Sequence, residues 1–258
     1  MIFVGFVTVV ICPLLTAQPA RSLEATLKKV QANVASFEAQ LPDFVADEKI
    51  VSRNLVSKRV TREVTYDSVF TAVQKKNRMF SFTESREVRK RNGHAAETEE
   101  ALHGPFLFTG GFSSILHSTF AAQNGQFHTY RLKGTQTIDK RKTVLIEFAT
   151  IPDQASLKLD WLGKTFYETA SGRAWVDPVT LEVIRLERVY RDLPSPAVSL
   201  TVMVDYKPVP IDGRMFNMPR RVAAEELTDK SKKRTRGVFV AEYANYRRFQ
   251  VSSGVRFQ

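Results

Sequence analysis

The residues that by type could carry chemistry are few. In "GGFSSI", residues 110 to 115, Ser113 or Ser114 follows two glycines, and His117 stands one helical turn along, as a nucleophile and its base would. A nucleophile elbow also needs a glycine two residues past the serine, where strand and helix pack closely, and 115 to 124 contains none. Serines capping a short helix are the simpler reading, with esterase-like hydrolysis at Ser114 and His117 as an outlying alternative. His94, His103, His117 and His128 are too scattered for a helix-borne metal pair, and no HExxH occurs. His94, His103, Glu97, Glu99 and Glu100 share a polar, mobile-looking loop without ligand spacing. Gly110-Gly111 lacks the Lys-Ser/Thr that completes a phosphate cradle. Asp177, two residues past Trp175 in "AWVDP", has no sequence neighbour to serve it as acid or base. Asp177-Pro178 reads instead as a hairpin corner: proline fixes φ, and the carboxylate and the Thr180 hydroxyl fold back onto nearby N–H groups. These residues predict a non-enzymatic protein with no catalytic, cofactor or metal site, and no cofactor.

Stepping outward, the first twenty residues carry no charge. An apolar run from Ile2 to Leu15, then small residues near Ala17, predicts a signal peptide over 1–20, or an uncleaved anchor, since the usual positive start is missing. Export to the periplasm or beyond follows. The only cysteine, Cys12, lies in this segment, and bulky Ile11 before it departs from a lipid-attachment motif. Removal of the segment leaves no thiol, so disulfides and cysteine metal sites go with it.

Residues 21–258 read as a single domain. Leu23, Leu27, Val30, Val34, Phe37 and Leu41 fall on one stripe of a helix that Ser22 caps and Pro42 ends. From about residue 44 the period becomes two. In "AVSLTVMVDYKP", Val198, Leu200, Val202, Val204 and Tyr206 share a face, and "KTVLIEFATIP" aligns Val144, Ile146 and Phe148. After the Asp177 corner, Ile184, Leu186 and Tyr190 alternate with Arg185, Glu187 and Arg191. Asn92-Gly93 and Asp212-Gly213 are hairpin-turn dipeptides. A short helix follows Gly111, with Phe112, Ile115, Leu116 and Phe120 on one side and Asn124-Gly125 behind it. Prolines in "DLPSPAV" and "KPVPIDGRMFNMPRR" mark connections or edges, and Met215, Phe216 and Met218 are candidates to line a cavity mouth. Successive strands without helical crossovers predict antiparallel order.

The net charge is +11, clustered in "KKNR", "REVRKR" and "DKSKKRTR". No cluster interleaves aromatics as a nucleic-acid platform does, so none is assigned to nucleic acid. Solvated hairpin ends that guard strand edges explain the clusters, and an anionic surface is the alternative counterpart.

"GRAWVDPVTLEVIRLE" resembles the hairpin of the LolA/LolB/RseB-like group, where an aromatic-x-Asp-x-x-Thr turn joins two central strands and an arginine follows. In that group glycine commonly follows the threonine, whereas here Leu181-Glu182 stand. A closer resemblance, over most of residues 41 to 258, is to uncharacterised secreted proteins of acidobacterial type, through stretches such as "TGGFSSILHSTFAAQNGQFHTYRL" and "EYANYRRFQVSSGVRFQ". The resemblance implies an α+β fold: a large curved antiparallel sheet, an unclosed β-barrel, with an N-terminal helix and a short inserted helix on its concave side. Known members carry lipoprotein acyl chains or sense envelope lipids, so a lipid, acyl chain or lipoprotein in a partly open hollow is the implied ligand. No position matches a lipoprotein-handling residue, and no ligand-binding residue is carried over. An envelope scaffold docking on anionic surfaces through basic hairpin ends is the second reading.

Overall fold

The structure is a computed structural model that describes residues 22–75, 82–97, 101–108, 111–112, 114–152, 154, 158–161, 164–167, 169–230 and 233–249. The segment read as a signal peptide, with Cys12, lies outside the described residues, as do Ser113, Gly110, Glu99 and Glu100.

Helix α1 spans Leu23–Gln40. The Ser22 hydroxyl accepts the Ala25 N–H at 3.2 Å, and the chain leaves the helix at Leu41, just before Pro42. Val30 and Val34 are buried, with Leu27 and Phe37 packed beside them, so the stripe does face a core. The strands are β1 (Phe44–Val56), β2 (Arg59–Gln74), β3 (Phe82–Arg91), β4 (His94–Ala95), β5 (His128–Ile138), β6 (Arg141–Thr150), β7 (Lys158–Trp161), β8 (Lys164–Tyr167), β9 (Ala170–Val176), β10 (Val183–Tyr190), β11 (Ala197–Ile211), β12 (Arg214–Lys230) and β13 (Lys233–Arg248). Between β4 and β5 lie two short helices, α2 (Ser114–Phe120) and α3 (Ala122–Gly125), so Asn124-Gly125 sit inside a helical turn rather than behind one.

Eleven strands form one sheet in the order β4-β3-β2-β1-β13-β12-β11-β10-β9-β6-β5, and β7 and β8 pair separately. Every ladder is antiparallel. The ends, β4 and β5, do not bond to each other, so the wall is unclosed. Its first and last long strands meet in the middle, with Val51 opposite Val240. Four hairpins turn on two residues at positive φ: Ser57-Lys58, Asn92-Gly93, Asp139-Lys140 and Asp212-Gly213. Such turns match the twist of the strands they join.

The expected alternation holds over Leu200, Val202, Val204 and Tyr206, all buried, but Val198 is exposed because the ladder to β12 shifts register between Ala197 and Ser199. The proline-rich stretch is edge strand, one of the two places its prolines allow. Pro208 and Pro210 lie within β11 and pair with Asn217 and Met215, and Pro219 lies within β12. Proline is tolerated here because the β10 ladder ends at Asp205, so past that point β11 has no second neighbour to lose a bond to. Pro219 sits at the register shift beside Tyr206.

One face of the sheet carries α1, α2 and the segment 101–108. Phe112 wedges among Phe44 and Phe70, with ring centroids 5.3 and 5.1 Å away, and meets Tyr243 edge-on at 5.3 Å. Gly111 permits this approach: a side chain there would stand 2.6 Å from the Phe108 ring and 2.8 Å from Val222. Phe106 is buried over Gly237, where a Cβ would come within 2.7 Å of it. Its backbone is pinned at both ends by the buried Ser52 hydroxyl, which donates to the Phe106 carbonyl at 2.5 Å and receives the Phe106 N–H at 3.1 Å. Where the loop read as polar from His94 to His103 ends, the segment 101–108 is an inward plug. The hollow is mostly filled with aromatic side chains.

Candidate functional site

One cleft lies at an end of the hollow, between α1, Leu116 of α2, the Asp177 hairpin corner and the start of β12. This cleft has a volume of ≈ 130 Å³. That is near the size of an engineered apolar cavity that accepts a benzene ring, so it takes the end of a chain rather than a whole one. Phe37, Leu181, Met215 and Phe216 form its apolar side, and Asn33, Ser36, Gln40, Glu182 and Asn217 its polar side. Of the three residues expected at a cavity mouth, Met215 and Phe216 line it, whereas Met218 is fully buried in the sheet and does not. Met215 is 64% exposed, a large apolar side chain held in water at the opening.

The corner that borders the cleft is built as its sequence suggests. One Asp177 carboxylate oxygen accepts the N–H groups of Val179 at 2.9 Å and Thr180 at 3.0 Å, and Thr180 Oγ1 accepts from Glu182 at 3.3 Å. Arg141 approaches the other oxygen at 3.3 Å. Burial pushes the Asp177 carboxyl up, but these donors and Arg141 together hold it below the usual carboxylate value. Leu181 takes the glycine position at φ 57 and is nevertheless a buried leucine, so packing against α1 offsets a conformation that side chains seldom adopt. Asn33 of α1 donates to the Thr180 carbonyl at 2.8 Å, tying helix to corner.

His117 Nδ1 pairs with Glu38 Oε1 of α1 at 2.7 Å, and its Nε2 lies 3.4 Å from the Gln123 amide. Ser114 is the exposed first residue of α2. Among the described residues no group of three or more His, Cys, Asp or Glu could hold a metal ion, and His94, on β4, is exposed. No described helix is long and apolar enough to cross a membrane.

Two polar sites on the inner face went unnoticed in the sequence. On β1, the buried Glu48 accepts from Arg86 Nε at 3.1 and 2.9 Å and from Ser68 at 2.8 Å. Burial works to depress Arg86, and the Glu48 carboxylate outweighs it and raises the guanidinium further. On β10, Arg188 is 1% exposed. Its Nη1 donates to Ser118 Oγ and Thr119 Oγ1, both at 2.8 Å, and both hydroxyls pass their own protons to the Ile115 carbonyl. The rings of Phe148 and Tyr190 lie 5.9 and 5.6 Å from its guanidinium carbon. The signal was available: Arg188 shares the parity of Leu186 and Tyr190, which the hairpin pattern places inward.

His128 completes this nest. The Asn124 carbonyl, 3.1 Å away, can only accept, so Nδ1 carries the proton and Nε2 faces Arg188 Nη2 at 3.4 Å as an acceptor. Burial, then the Arg188 charge, push the imidazole below its usual value, against a smaller upward pull from the Asn124 bond. With the folded value below the unfolded one of about 6.5, the unfolded chain binds the extra proton. The stability this neutral ring contributes is therefore complete above about pH 6.5 and drains away as pH falls below it. Urea midpoints measured from pH 8 to pH 5 should show this slope in the native chain, and His128→Gln should flatten it. An unchanged slope in the variant would remove His128 from the account.

No protein-family model matches the chain, and no curated protein does. Solved structures similar to it include a domain from Vibrio parahaemolyticus assigned to outer membrane lipoprotein sorting, at 9% identity and TM-score 0.48, covering 90% of this chain and 94% of that one. A LolA superfamily protein from Nitrosomonas europaea is similar at 12% identity and TM-score 0.38, covering 93% and 99%. A DUF1329 family protein from Desulfovibrio piger is similar at 11% identity and TM-score 0.42, covering 90% and 95%. The chain's own ladders establish an unclosed, wholly antiparallel sheet with helices laid on one face.

Proposed function

We propose that the chain is an exported, non-enzymatic envelope protein that takes the end of an acyl chain, borne by a lipid or a lipoprotein, into the cleft beneath α1. The observation that carries the reading is the cleft itself: an apolar side with Phe37, Leu181 and Phe216, polar side chains such as Asn33, Gln40 and Asn217 beside it, and Met215 exposed at its rim. An apolar chain end gains by leaving water against the first, and the polar groups suit the more polar part of the same ligand. The cleft's thioether lining adapts to ligands of varied shape. Because the rest of the hollow is packed, the remainder of the ligand stays outside, over the α1 and β12 rim. Export rests on the uncharged apolar run at the start of the chain.

Native mass spectrometry of protein purified without detergent should find bound lipid, and a fluorescent fatty acid should bind in competition with it. Met215→Lys, at an exposed position that leaves the core alone, should weaken the fluorescent probe on the order of 10-fold by placing a charge at the apolar mouth. The reading fails if no lipid accompanies the protein and the probe binds native and variant chains alike.

A further inference from the structure

The pairing of β1 with β13 brings together two hairpin ends that are far apart in sequence. The β1–β2 turn at Ser57-Lys58 and the β12–β13 end stand side by side, since Val56 pairs with both Arg59 and Thr235. Among the described residues, segments 53–63 and 229–236 hold eight Lys and Arg against two acidic residues, Glu63 and Asp229, a surplus of six. Local ion pairs consume part of it: Arg53 with Glu63, Arg234 with Asp229, and Arg236 with Glu225 on β12. Lys58, Arg59 and Arg62 are exposed and make no ion pair among the described residues. Within this basic tip Val60 is 47% exposed, opposite Leu55.

Edge protection accounts for part of the arrangement: the ladder of β2 to β3 ends at Tyr66, so Arg59 and Arg62 stand on an open edge. It does not account for the β12–β13 end, because Arg236 is paired with Leu227 on one side and Leu55 on the other and guards no edge. An anionic surface accounts for both sets of cations meeting at one tip. We infer that this double-hairpin tip docks on an anionic lipid bilayer, with the cations over the headgroups and Val60 reaching the boundary below them. Headgroup attraction adds for each cation within a Debye length, and an exposed apolar residue between cations is what an interfacial contact inserts.

The geometry also fixes what the docked molecule presents. β12 runs from Arg214, beside the cleft, to Lys230 at the tip, about 50 Å along a strand of this length. The cleft therefore opens at the end remote from the docked surface. The inference is independent of whether the cleft binds an acyl chain.

The test is co-sedimentation with vesicles of phosphatidylcholine alone and with about one third phosphatidylglycerol, over a salt series. The native chain should bind only the anionic vesicles, with binding falling as salt rises. Lys58→Asn, Arg59→Gln and Arg62→Gln together should lower the partition coefficient on the order of 100-fold, since each cation near the surface contributes about one factor of five. Asparagine is used at position 58 because it tolerates the φ of 66 there. Lys28→Gln, Lys29→Gln and Lys142→Gln remove the same charge from exposed positions elsewhere and should change binding little. Thermal melts of both variants check that the fold is kept. Binding to neutral vesicles as strong as to anionic ones, equal losses from the two triple variants, or no binding to either vesicle would each overturn the inference.

Discussion

Arg86→Met is expected to cost about 3–5 kcal/mol of stability, and adding Glu48→Leu to the same chain is expected to return most of it. The expectation follows from where the charges sit. Glu48 has a fully buried carboxylate on the inner face of β1, and among the described residues Arg86 on β3 is the charged group paired with it, at 12% side-chain exposure. Removing the guanidinium leaves an anion in an apolar wall with only the neutral Ser68 hydroxyl and the Tyr243 phenol to hold it. Removing both charges takes away the buried anion beside Phe70, over whose ring Arg86 now lies at 4.9 Å, and leaves Glu84, whose carboxyl burial already pushes up. Urea unfolding of the two single variants and the double gives the coupling directly. A cost below about 1 kcal/mol for Arg86→Met would mean that water reaches Glu48 and that the pair is not a buried one.

Gly172→Ala is the second large effect, at about 3 kcal/mol, the upper end of what overpacking costs. Gly172 pairs with Arg188 across the β9–β10 ladder and with Phe148 across the β9–β6 ladder. A Cβ on it would stand 2.0 Å from the Glu187 backbone carbonyl and 2.5 Å from the Phe148 ring. The ring can swing, but the carbonyl belongs to the ladder and cannot. Phe148→Leu on the alanine background should therefore fail to rescue it. The displaced strand also carries Arg188 away from its two hydroxyls, so the loss should extend to the packing of α2. Full recovery in the double variant would show that the ring alone was the obstacle.

How much of this was legible in the chain depends on the range over which the signal acts. The α1 stripe, the Ser22 cap and the Asp177 corner are local chemistry, and they stand as read. Hairpin turns split by residue type. Asn92-Gly93 and Asp212-Gly213 announce themselves through glycine, whereas Ser57-Lys58 and Asp139-Lys140 reach the same positive φ with side chains that carry no such mark. The basic hairpin ends were visible as clusters, but their adjacency depends on β1 pairing with β13, which no local pattern encodes. Of the cleft, Met215 and Phe216 were legible as adaptable apolar residues between prolines. Leu181 and α1 joined them only through tertiary packing. The filled hollow was hidden for the same reason: Phe106 and Phe112 look like loop and helix residues until Gly237 and Gly111 make room for them.

The central seam has a consequence for biosynthesis. β1 and β2 emerge from the ribosome early, but the strand that completes their inner side begins at Lys233. Val51 waits for Val240 across some 190 residues of translation, on the order of tens of seconds at usual elongation rates. Through that interval a ladder of open amides and the greasy side of two nascent strands stay uncovered. A chain wired this way cannot close its central seam before β13, Lys233–Arg248, has been made.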